Sequence, residues 1–159
     1  MMTRNSVLGI VLLYLVSALS VSRAQSAPAT PQQEAEKAVK TRQAVFDVQS
    51  YSFGPVAAML KGAPFDADLV QKEAARVEIT SGMIVEVFQF DTRKFRVQTT
   101  AREDIWLHPD DFKQKARDLQ AAVAELKSAA TKGDRSAVIN AVNGVGQACK
   151  ACHDAYREK

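Results

Sequence analysis

The feature that most constrains this chain is its C-terminal run Cys149-Lys150-Ala151-Cys152-His153. Two thiols three residues apart, followed at once by a histidine, fit into little more than one helical turn. On a helix the thiols lie one above the other and can bond the two vinyl groups of a haem, and the next side chain offers the iron an imidazole. The spacing predicts one covalently attached haem c, held through Cys149 and Cys152, with His153 as the axial iron ligand.

Other readings of the same residues are weaker. A thioredoxin-like pair opens a helix within a βαβ pattern, whereas this one closes a long helical pattern at the C-terminus. A Cys149–Cys152 disulfide in an otherwise helical bundle closes so short a loop that it would constrain little chain entropy. Zinc would need a fourth ligand, and the chain's other histidine is His108.

The N-terminus agrees with a haem attached outside the cytoplasm. Arg4 precedes an apolar run from Val7 to Val16 that continues through Ser17-Ala18-Leu19, and small residues stand at Ser22 and Ala24. This pattern predicts a signal peptide over residues 1–24, cleaved after Ala24, and export to the periplasm. The apolar stretch, about 15 residues, is short of the roughly 20 that span a bilayer, so no membrane association is expected after cleavage. Cleavage removes Arg4 and Arg23, taking Lys plus Arg from 21 to 19 against 18 Asp plus Glu. A chain so near neutrality has no electrostatic basis for binding nucleic acid.

The remaining residues are enough for one domain around one core. Residues 25–30 form a short flexible leader rich in Ser, Ala and Pro, and residues 31–159 form the domain. Thr30-Pro31-Gln32-Gln33 reads as a capping box with proline at the first helical position. The helix that follows should run to about Leu60, with Val39, Phe46, Phe53 and Leu60 as a heptad seam and an interruption at Gly54-Pro55. Asp66 caps a second helix with Val70, Val77 and Ile84 in register, ending between Met83 and Phe88.

Residues 84–100 are ambiguous, since Ile84–Phe90 and Phe95–Thr99 have strand composition; an ordered loop with at most a short hairpin is expected. A third helix starts near Pro109 and carries Phe112, Leu119 and Leu126 on one line and Ala116, Val123 and Ala130 on another, stopping at Gly133. Asp134 caps a fourth, with Val138, Val145 and Cys152 beside Val142, Cys149 and Tyr156. The pattern specifies an all-α, antiparallel four-helix bundle with the haem near the C-terminus.

At this point the chain resembles the cytochrome c′ family, the class II c-type cytochromes. The resemblance lies in Ala38–Gln43, Lys61–Asp66, Ile105-Trp106, Phe112–Lys115 and, most specifically, Val145–Arg157; residues 84–100 depart from it. It implies a periplasmic haem protein, commonly a homodimer packed through its first two helices, with histidine as the iron's one protein ligand and with nitric oxide and carbon monoxide as ligands. It also implies that Phe46, four residues after Arg42, faces the distal side where six-coordinate relatives carry Met, that Arg42 reaches a haem propionate, and that Arg157 stands beside His153.

Phenylalanine cannot ligate iron, and Met59 lies about 20 Å further along the same helix at 1.5 Å per residue. Met83 reads as core filler and His108 as a helix-end residue. Trp106 and Tyr156 suit the haem edge or ordinary core equally. The expected protein is five-coordinate, high-spin and gas-binding rather than an enzyme, with electron transfer as a further role and no redox partner legible; a six-coordinate low-spin electron carrier is the alternative.

Overall fold

The computed structural model describes residues 28–159. The signal peptide expected over residues 1–24 and the first part of the leader lie outside the described residues. Four long helices, α1 (Pro31–Ala58), α2 (Ala67–Gly82), α5 (Pro109–Lys132) and α6 (Arg135–Tyr156), form the antiparallel bundle, with one-turn helices α3 (Ile84–Val87) and α4 (Asp104–Leu107) in the long connection. Among the described residues no helix is long and apolar enough to cross a membrane.

The helix ends obey local chemistry. Thr30 Oγ1 accepts from the Gln33 N–H at 3.3 Å while Gln33 Oε1 accepts from the Thr30 N–H at 2.8 Å, closing the capping box. Asp66 Oδ1 accepts from the Leu69 N–H at 2.9 Å, and Asp134 Oδ1 from those of Ser136 and Ala137 at 2.8 and 3.2 Å. Gly62 and Gly133 end the upstream segments at φ 96° and 69°, left-handed values that suit glycine.

The first long helix, α1, carries Gly54-Pro55 within it and continues to Ala58, close to the expected end near Leu60. The carbonyl that Pro55 cannot bond belongs to Tyr51, which is exposed, so water can satisfy it. One expectation for α1 is corrected. Leu60 is not part of the core: the buried stripe of α1 runs through Val45, Gln49, Ser52, Val56 and Met59, and Leu60 lies one position past it, on the line of the half-buried Phe46 and Phe53, where it is exposed.

The heptad lines read on α5 and at the start of α6 are buried as expected, from Phe112 to Ala130 and at Val138, Val142 and Val145. The 84–100 segment contains no hairpin. Its first residues extend α2 by one turn, with the Val87 N–H donating to the Met83 carbonyl at 3.0 Å. Its later residues pair with the C-terminus: the Arg102 N–H donates to the Tyr156 carbonyl at 3.0 Å and the Glu158 N–H to the Thr100 carbonyl at 2.8 Å. A strand-like sequence here meets the end of α6 rather than a hairpin partner, through one antiparallel bridge at Ala101 and Arg157.

Candidate functional site

Protein interiors are close-packed, with few voids larger than a water molecule. Between α1 and α6 this bundle leaves a cavity of about 480 Å³. The α6 wall carries Val145, Cys149, Cys152, His153, Tyr156 and Arg157; the α1 wall carries Val39, Arg42, Phe46, Gln49 and Phe53. Phe88 and Phe112 contribute to the lining, and Thr99–Ala101 brings the long connection to it. A largely apolar space of this size with two thiols and an imidazole on one wall fits a covalently held macrocycle, and the donor set is that of haem c.

Both thiols are free and half-buried. Burial raises the pKa of Cys149, and burial, then the neighbouring Cys149, pushes Cys152 up to about 11. Reactive redox cysteines have lowered values, so these thiols are poorly suited to thioredoxin-like exchange. His153 is held below its ordinary value, by burial first and then by the charge of Arg157, against an opposing effect of Asp154. Tyr156 Oη donates to Asp111 Oδ2 at 2.6 Å, tying the last turn of α6 to the start of α5. Its phenol is raised by burial and by that carboxylate.

Arg42 is neither a solvated helix arginine nor solely a cavity residue. At 3% exposure it sits inside the bundle and donates from Nε to the Val87 carbonyl at 2.9 Å, from Nη1 to Thr92 Oγ1 at 3.1 Å and from Nη2 to the Phe90 carbonyl at 2.5 Å. Its guanidinium also lies 4.6 Å from the Phe88 ring centre and 5.2 Å from that of Trp106. Burial lowers its pKa to about 10, against the raising effect of Asp91, so it stays charged at neutral pH.

Trp106 does not line the cavity. It stands behind Phe88, ring centres 6.2 Å apart, and its Nε1 donates to the Phe88 carbonyl at 3.0 Å. Of the two readings open for Trp106, haem edge or bundle core, its place behind Phe88 agrees with core, and Phe88 is the one of the pair that lines the cavity. Among the described residues, Met59, Met83 and His108 also stay outside the lining, leaving His153 as the one imidazole and no thioether. Sequence reasoning missed Gln49, although it falls on the same stripe as Arg42, seven residues on.

Comparison with known proteins places this arrangement. The family model described as Cytochrome C' matches residues 37–157. Cytochrome c′ from Rubrivivax gelatinosus is 37% identical over 123 residues, covering 77% of this chain and 95% of the relative. Cytochrome c′ from Alcaligenes xylosoxydans is 35% identical over 125 residues, covering 78% and 95%. Among solved structures, a nitric oxide complex of a single-residue variant of cytochrome c prime from Alcaligenes xylosoxidans superposes with a TM-score of 0.71 at 35% identity, covering 79% of this chain and 97% of that one.

Proposed function

The chain belongs to the cytochrome c′ family, whose members carry covalent haem c and its iron, and from that premise we propose that it is an exported, periplasmic protein with a five-coordinate, high-spin iron that binds nitric oxide and carbon monoxide on the side facing α1. Electron transfer is a further role of the same centre. The observation that carries this reading is the asymmetry of the cavity, with thiols and imidazole on α6 and a phenylalanine, but no second strong ligand, on α1. The nitric oxide complex of the Alcaligenes protein supports nitric oxide as a ligand.

Cys149 and Cys152 would hold the group through thioether bonds, and His153 would supply the iron with its protein ligand. When bound, the haem supplies an iron with one open coordination position. Phe46, on the α1 wall, would keep water out of that part of the cavity and admit a small uncharged molecule when its ring moves. Moving a packed ring off its rotamer costs on the order of a kcal/mol, so a stronger ligand tolerates the loss better than a weaker one. Arg42 and Arg157 supply positive charge that suits a propionate. Tyr156, through Asp111, steadies the turn bearing His153.

A homodimer through the first two helices is part of the same proposal. Val48 and Tyr51 on α1 and Ile79 on α2 are large apolar side chains left exposed, Tyr51 at 75%. Sedimentation of the holoprotein should show a dimer that Tyr51→Lys shifts towards monomer; a monomeric parent would refute it.

The absorption spectrum tests the central reading. Protein exported from cells that mature c-type cytochromes should show broad high-spin bands; sharp low-spin bands would mean a six-coordinate carrier, and no bands a non-haem bundle. Intact mass should show cleavage after Ala24 and one added haem that survives acid extraction.

A further inference from the structure

On α1, one residue of the cavity wall, Gln49, and one packed behind it, Ser52, carry polar atoms that no protein group satisfies. Gln49 Oε1 and Ser52 Oγ are the buried side-chain oxygens without a hydrogen-bond partner among the described residues. Native proteins pair nearly all such atoms, and those left over commonly hold water or a ligand. Gln49, at 8% exposure, lines the cavity on the wall facing Cys149, Cys152 and His153. It stands three residues past Phe46, about 4.5 Å further along the helix axis. Ser52, fully buried, follows at another three residues on the same face.

The two groups complement each other: a serine hydroxyl can donate, an amide oxygen accepts, and the amide nitrogen keeps two N–H donors of its own. Building on the five-coordinate, gas-binding reading above, we propose that Gln49 is a hydrogen-bond donor for small ligands in the α1 half of the cavity. One water between Ser52 Oγ and Gln49 Oε1 orients the amide with an Nε2–H towards the outer atom of the ligand. The ligand class is the small molecule that carries partial negative charge on its outer atom. Phe46 then limits access by size, while Gln49 discriminates by polarity, which an all-apolar wall cannot do.

Carbon monoxide is the probe, because its stretching frequency falls when a donor approaches its oxygen. In the reduced holoprotein, Gln49→Leu should raise the C–O stretch and release carbon monoxide roughly 2- to 10-fold faster, the range for losing one neutral hydrogen bond. Ser52→Ala should move both in the same direction by less, and it keeps the test available if the leucine variant folds poorly. An unchanged stretch and release rate in Ser52→Ala and in any folded Gln49→Leu, with a raised melting temperature, would reduce Gln49 to a buried orphan and overturn the proposal. Failure of the parent protein to bind haem or carbon monoxide would instead overturn the reading it rests on.

Discussion

The two ends of this bundle are built on different terms. At the end of the Gly62 and Gly133 turns the helices close on themselves: Leu126, Val70 and Val138 are fully buried, Gln71 Nε2 donates to the Ala130 carbonyl across α2 and α5 at 3.3 Å, and two aspartates cap the helix starts. At the opposite end α1 and α6 stand apart around the cavity and are joined by the long connection, which Arg42 fastens from one side and the Ala101–Arg157 bridge from the other. Of the long-helix pairs adjacent round the bundle, α1 and α6 touch least. One end has its core in its own side chains; the other surrounds a space that, on the proposed reading, the haem completes.

The sharpest way to break that contrast is to remove the filling. Cys149→Ala with Cys152→Ala should leave α1 and α6 lining an apolar void, and the chain should lose cooperative unfolding. Proteolysis should cut first between residues 88 and 103, where the backbone is irregular. A double variant that melts as cooperatively as the parent would show that the cavity end sustains itself. The matching cut at the closed end is Leu126→Ala, which should cost about 2 to 5 kcal/mol in denaturant unfolding of the holoprotein. Its haem bands should stay where they are; a spectral change would mean that the two ends are coupled.

The same contrast explains what was legible in the sequence. The closed end is written in heptads, and Phe112 to Ala130 and Val138 to Val145 could be assigned from spacing alone. At the cavity end the motif residues Cys149, Cys152 and His153 were legible from covalent chemistry, and the structure gathers them with Arg42, Phe46, Tyr156 and Arg157 around one space. What escaped was decided by contacts distant in sequence. Trp106 was drawn behind Phe88 by the Phe88 carbonyl, and Arg42 bonds backbone 45 and more residues away. Residues 84–100 have strand composition, but their acceptors are taken by a guanidinium and their last residues by the C-terminus, so propensity was overruled by tertiary bonds. Leu60 failed because the seam through Phe46 and Phe53 runs one position beside the buried stripe that Val45, Ser52 and Met59 occupy.

A smaller change tests the cavity end without emptying it. Phe46→Ala should raise carbon monoxide affinity and speed its binding, by roughly tenfold if the ring's displacement costs on the order of a kcal/mol. Phe46→Met should supply a thioether and move the spectrum towards six-coordinate low spin. Unchanged carbon monoxide kinetics in the alanine variant would make Phe46 ordinary core.

The smallest effect belongs to the closed end and reads out as a pH slope. Asp134 caps α6, and its carboxylate is held below its ordinary 3.8, first by the Ser136 hydroxyl and then by the Ala137 and Ser136 N–H groups. A folded value below the unfolded one means that the unfolded chain takes up the proton first on acidification. The contribution is therefore fully present above pH 4 or so, and is lost as pH falls through the lowered folded value. Asp134→Asn keeps an oxygen for the cap but has nothing to titrate. Between pH 5 and pH 3 the parent should lose stability more steeply than the variant, whereas from pH 5 to 7 the two should run parallel, with identical haem spectra throughout. Parallel curves down to pH 3 would show that the cap works through geometry alone, and that even the charges at this end are incidental to a core already closed by Leu126 and its neighbours.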